Sequence, residues 1–117
     1  MFQAAKSIFG KIKATRLVIA EKVELKAEVL TATDEDTVSV STPLTIIDTT
    51  DGAMADLVLA DGYHGQIKTV LMTADGGDAT LTPDHYANGT TIVFDGYDYW
   101  VGIFYGTQWH DLSKTAT

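Results

Sequence analysis

The sequence predicts an all-β fold, an antiparallel β-sandwich or barrel of jelly-roll type, preceded by an extended or short helical N-terminal arm. Three observations point there. Short runs rich in Val, Ile, Thr, Tyr, Phe and Trp fill the chain from Leu17 onward. Asp-Gly or Asn-Gly pairs separate many of them, and these pairs accept the left-handed dihedrals of tight hairpin turns. A helical apolar period occurs only within the first sixteen residues.

In that first segment, MFQAAKSIFGKIKATR, the residues Phe2, Ala5, Ile8, Phe9 and Ile12 recur at helical spacing. Lys6, Lys11 and Lys13 fall mostly elsewhere on the wheel, Gly10 weakens a helix, and Arg16 would interrupt the apolar stripe, so a helix ends before it. Three readings are open for this arm: a terminal helix packed on its own domain, a short membrane-surface helix, or a segment that docks on a larger assembly. The membrane reading ranks last because the apolar stripe is short. The next run places Val23, Leu25, Ala27 and Val29 in alternation with Glu24, Lys26 and Glu28, the period of a half-buried strand.

After the solvated loop 33-TDEDT-37 come TVSVST, LTII, ADLVLA, QIKTVLMTA, ATLT, TTIVF, YDYWVGIFY and TQWHDL. The turn pairs among them are Asp51-Gly52, Asp61-Gly62, Asp75-Gly76, Asn88-Gly89 and Asp95-Gly96. Pro43 and Pro83 lie at run boundaries, where a missing N–H does least harm. Asp75-Gly76-Gly77-Asp78 reads as a hairpin connection between VLMTA and ATLT. In 97-YDYWVGIFYGTQW-109 both faces of the strand are apolar, so the strand is central or covered by a partner. Tyr99, Trp100, Phe104 and Tyr105 are therefore candidate subunit-interface residues.

Length and charge set the organisation. The 117 residues suit one compact domain, with no cysteine and hence no disulfide or thiolate site. No apolar run is long enough to span a bilayer, and no secretory pattern opens the chain, which reads as soluble. The net charge is −8, but residues 1–30 carry six Lys or Arg against three Glu, giving +3. The other residues carry two Lys against thirteen acids, giving −11. The expected organisation is a basic amphipathic arm over 1–30, leading into the first strand, and an acidic β-domain over 31–117. Such a body lacks the clustered cations that phosphate binding needs, so nucleic acid is not an expected partner.

Chemistry finds no strong motif. DGGDATLTPDHY lacks the ligand spacing of an EF-hand loop. His64, His85 and His110 show no HxH or HExxH spacing. There is no GxSxG elbow and no phosphate-binding glycine loop, and the acids of the body mostly accompany turns. The expectation is a non-enzymatic protein without metal or cofactor.

The run from Thr42 to Leu112 resembles small structural proteins of tailed bacteriophages. The matching segments are Leu59 to Gly62 (LADG), Gly65 to Lys68 (GQIK), Asp75 to Gly77 (DGG), Thr80 to Pro83 (TLTP) and Asn88 to Ile92 (NGTTI), with Trp109 closing the aromatic strand. The resemblance implies a capsid decoration (cement) protein that forms homotrimers on the outer surface of the phage head. Its partner would be the major capsid protein, gripped through Phe2, Lys6, Ile8, Phe9, Lys11, Ile12, Lys13 and Arg16. The alternative is a tail, fibre or baseplate component that binds host-surface glycans through Tyr86, Tyr97 and Tyr99.

Overall fold

A computed structural model describes residues 24–32 and 37–117. The arm residues Phe2 to Arg16 lie outside the described residues. Nine strands are present in the described part: β1 (Ala27–Thr31), β2 (Thr37–Val38), β3 (Leu44–Asp48), β4 (Met54–Leu59), β5 (Ile67–Met72), β6 (Ala79–Pro83), β7 (Ile92–Phe94), β8 (Tyr99–Tyr105) and β9 (Gln108–Lys114). They form two mixed sheets, a larger one in the order β1-β3-β5-β8-β9 and a smaller one in the order β2-β4-β6-β7. The expected all-β class is what the structure shows. The division placed after residue 30 falls inside β1, which pairs along its whole length with β3.

The expectation of antiparallel sheets is corrected. β1, β3 and β5 are parallel to one another, and so are β2, β4 and β6. The chain alternates between sheets from β1 to β6, winding as three stacked coils before the antiparallel pairs β5–β8, β6–β7 and β8–β9 close the fold. The Asp-Gly pairs misled because they bend the chain at corners between sheets. Asp51-Gly52 leads from β3 to β4, and Asp75-Gly76 from β5 to β6, each time into the opposite sheet. The tight hairpin lies instead at Gly106-Thr107, where Tyr105 pairs with Gln108. Gly106 takes a φ of 65° and Thr107 does not, the glycine-first pattern of a type II′ turn.

Register aligns the inward side chains into rows. In the smaller sheet these are Val38–Leu59–Pro83, Leu57–Leu81–Ile92 and Met54–Ala79–Phe94. Leu30, Ile47 and Met72 form a matching row in the larger sheet. All but Pro83 belong to one apolar cluster with Trp100, Phe104 and Trp109. The indole of Trp100 lies over Gly102, where an added Cβ would come within 2.1 Å of the ring. Trp109 meets Trp100 and Phe104 edge-on, with centroids 5.9 and 5.3 Å away. Asp111 anchors this aromatic end by accepting from Trp100 Nε1 and Tyr86 Oη, both at 2.7 Å, while Lys114 Nζ lies 3.1 Å from it. Burial pushes the Asp111 carboxyl up, but the hydrogen bonds from Tyr86, Trp100 and Lys114 and the Lys114 charge outweigh it and leave it below its ordinary value.

Stacked corners explain the Gly76-Gly77 pair. Thr49 Oγ1 donates to Ala74 O (3.0 Å) and accepts from Gly76 N (3.1 Å), so one corner sits on the next. A Cβ on Gly76 would fall 1.9 Å from Thr49 O, and one on Gly77 would fall 2.8 Å from Ala53 N. Close approach between coils therefore requires glycine at 76. At the other corner the staple is Lys68, fully buried on the inward side of β5. Its Nζ donates to Ser39 O at 2.7 Å, to Thr45 Oγ1 at 2.6 Å and to Thr42 O. Glu28 Oε1 accepts from Thr45 Oγ1 (2.7 Å) and Ser39 N (2.8 Å), completing the network. Burial lowers the Lys68 pKa to about 8, with the Glu28 charge opposing.

Two outcomes follow. Gly76→Ala should destabilise the fold by about 3 kcal/mol or more, because the obstructing atom is backbone; a urea midpoint unchanged from wild type would refute the corner stacking. Lys68 has a folded pKa below its unfolded value of 10.5. Above about pH 8 the folded chain has released a proton that the unfolded chain still holds, so the Lys68 contribution to stability increases with pH. Urea melts at about pH 7.5 and 9.5 should show that gain in wild type relative to Lys68→Met, and identical pH dependence in the two proteins would contradict it.

Candidate functional site

The outward side of the larger sheet is the feature that the core does not explain. Because side chains alternate along a strand, the neighbours of the buried row point away from the core. Pairing then places Val29, Ile46, Leu71 and Tyr99 in one row. Ala27, Leu44, Thr69, Val101 and Ser113 form a second, and Ile67, Ile103 and His110 a third. Tyr105 follows at the end of β8. Seven large aliphatic side chains thus share one face with two tyrosines.

The smaller sheet is different. Its outward rows are Thr37–Val58–Thr82 and Thr80–Val93, alternating hydroxyl and methyl groups as water-facing strands do. The contrast sets the larger face apart as apolar where the smaller one is hydroxyl-rich. Val29, Ile67 and Tyr105 are 55%, 52% and 60% exposed in the single chain, far above what core residues show. Of the outward positions on β1, β3, β5 and β8, only Asp48 is charged, and it sits at the end of its strand. Thr50 Oγ1 and Thr50 N donate to its carboxyl, holding its pKa below the ordinary value.

β1 sharpens the point. Its alternation was expected to turn Ala27 and Val29 inward, but they face outward, while Glu28 and Leu30 face the interior. Glu28 is needed inside for the Lys68 and Thr45 network, and the apolar residues are left outside. A half-buried glutamate on the inward side with Ala27 and Val29 exposed is the reverse of what a free-standing sheet edge favours at those positions.

Of the sequence-derived interface residues, Tyr99 and Tyr105 lie on this face, and Tyr99 Oη shares a 2.8 Å hydrogen bond with Ser113 Oγ. Trp100 and Phe104 are corrected: they point into the core, at 0% and 5% exposure, and offer no side-chain surface to a second copy. Their size and aromatic character read as interface, but the strand's inward parity decides otherwise. Val29, Leu44, Ile46, Ile67 and Leu71 were missed, whereas Val101 and Ile103 alternate onto the same side of β8 as Tyr99 and Tyr105. The signal for the missed residues was the two-sided apolar character of LTII and IKTVLM, visible beside that of YWVGIFY.

The other singled-out residues scatter. Tyr86 is buried with its hydroxyl on Asp111, whereas Tyr97 is 67% exposed in the β7–β8 turn with a left-handed φ of 62°, so the expected Tyr86, Tyr97 and Tyr99 rim does not form one ring platform. His64 and His110 flank the Tyr105 ring, at centroid distances of 4.7 and 6.3 Å, and His85 pairs with Asp61. Among the described residues, no three His, Cys, Asp or Glu side chains gather where a metal ion would sit. No family model and no curated protein matches the chain.

Face orientation is testable through stability. Leu71→Lys and Ile46→Lys, on the outer face, should cost less than about 1 kcal/mol in dilute monomer. Ile47→Ala, one residue away on the inward side, should cost about 2–4 kcal/mol. Comparable losses in chemical denaturation at 46 and 47 would contradict the assigned parity.

Proposed function

We propose that the protein is a structural subunit that assembles with copies of itself through the outer face of the larger sheet. In this reading it decorates the outer surface of a tailed-phage head as a homotrimer. The observation that carries the assembly is the pairing of an apolar, nearly uncharged sheet face with an acidic body. Copies of a chain with net charge −8 repel one another unless they meet where charge is absent. Three such faces turned toward a common threefold axis, each meeting a neighbour on either side, bury apolar surface with little charge to desolvate and close the ring.

Size argues for help from another contact. Five strands about 4.8 Å apart and six residues long span roughly 24 by 20 Å. That footprint is of the order of the largest apolar patches on monomers and below the roughly 800 Å² per partner of a standard stable interface. The basic and apolar residues Phe2, Lys6, Ile8, Phe9, Lys11, Ile12, Lys13 and Arg16 supply a second grip in this proposal, with the major capsid protein as partner. Many weak contacts repeated over a shell then add through multivalency. A tail or fibre location is the second reading, favoured by coils that stack along one direction.

Sedimentation of the full chain should give a trimer at micromolar concentration, and Leu71→Lys with Ile103→Lys should shift it toward monomer. A monomer in wild type would overturn the assembly. Deleting residues 1–16 should leave the trimer intact and abolish binding to undecorated heads; retained binding would overturn the arm's role alone.

A further inference from the structure

A second feature lies away from the assembly face, where loops 60–66, 84–91 and the β8–β9 turn converge. Several contacts hold these loops together. Trp109 Nε1 donates to Ala60 O (2.9 Å), and Trp109 N donates to His85 O (2.9 Å). Gly65 N donates to Phe104 O (2.7 Å). At this end is a groove of about 350 Å³ lined by Thr82, Pro83, Asp84, His85, Tyr86 and Gln108, together with Gly89 and Thr90. Its volume is in the range of small-molecule sites.

The lining is chemically mixed in a specific way. Pro83 and Tyr86 lie at its floor, both largely buried, with Tyr86 8% exposed, and the Tyr86 hydroxyl is already committed to Asp111, so what these two residues show the groove is a narrow apolar strip. A glycine at 89 keeps the border low, since a Cβ there would stand 3.5 Å from Tyr86 Cε2. Above the floor stand the exposed Thr82, Asp84, His85, Thr90 and Gln108. They supply hydroxyls, a carboxylate, an imidazole and an amide, both donors and acceptors. The imidazole is fixed: the Asp61 carboxylate meets His85 Nδ1 with both oxygens, at 2.9 and 3.0 Å. That contact orients the ring and leaves Nε2 as its second hydrogen-bonding atom.

From this lining we infer that the groove binds a neutral pyranose sugar. Such a ligand has an apolar ring face for Tyr86 and Pro83 and a rim of hydroxyls that donate to Asp84 and His85 and accept from Gln108 and the threonines. Asp84 and Asp61 disfavour an anion. The site is separate from the assembly face and stands or falls without it.

The experiment is an amide ¹H–¹⁵N titration of the full chain with glucose, galactose, mannose and N-acetylglucosamine. Each is taken to about 100 mM, enough to saturate a millimolar site. At least one sugar should give saturable shifts clustered at residues 82–90 and 107–109. Asp84→Ala and Gln108→Ala should weaken it about tenfold each, while Asp56→Ala, on the outward side of the smaller sheet, should not. Absence of saturable shifts with all four sugars would overturn the inference. So would shifts that persist undiminished in both groove variants.

Discussion

Parallel pairing between successive coils is the constraint on which the rest of this structure depends. It obliges the chain to cross to the opposite sheet after each strand from β1 to β6, and each crossing exposes backbone groups at a corner that no ladder satisfies. The corners are closed by specific side chains. Lys68 and Gln66 donate to the carbonyls of Ser39, Val40 and Thr42, and Thr49 serves the backbone of Ala74 and Gly76. A buried ammonium is costly, and here it is retained because its donors converge on three acceptors that would otherwise be stranded together. Among the described residues no buried side-chain nitrogen or oxygen lacks a partner.

That solution has a consequence for the surface. With Glu28, Thr45 and Lys68 occupying inward positions of the larger sheet, part of its interior is polar, and the apolar alternates of β1, β3 and β5 face out. The smaller sheet, whose inward rows are almost wholly aliphatic or aromatic, keeps threonines outside. Both sheets fill the core, but their outer sides differ: the smaller sheet meets water with hydroxyls, while the larger one also staples the coils and presents an apolar face. The proposed assembly grows out of this asymmetry, and the arm's charge adds reach to it.

Much of the fold was legible in the sequence, and what was not has physical causes. Strand existence followed from β-branched and aromatic runs, and all the strands expected from QIKTVLMTA to TQWHDL are present. Strand direction was hidden because Asp-Gly serves a sheet-to-sheet corner as well as a hairpin. The coil repeat was hidden by unequal lengths: Val29 aligns with Ile46 and then Leu71, so no fixed period appears along the chain. Gly76 looked like a turn residue, yet its requirement comes from Thr49 of the preceding coil, a contact that no local pattern encodes. The candidate face was half legible through Tyr99 and Tyr105, while Trp100 and Phe104 were misassigned because parity relative to the core is set by pairing partners. The Asp61–His85 pair bridges loops too distant in sequence to be read from spacing.

The central claim is that the outer face of the larger sheet is covered in solution. Hydroxyl-radical footprinting across protein concentrations tests it most directly, because it reads side chains one by one. Ile46, Ile67, Leu71, Ile103 and Tyr105 should become protected as concentration rises, while Tyr63 and Tyr97, exposed at 71% and 67% elsewhere, should label throughout. Labelling of the face that stays as high as that of Tyr63 and Tyr97 at every concentration would contradict the account.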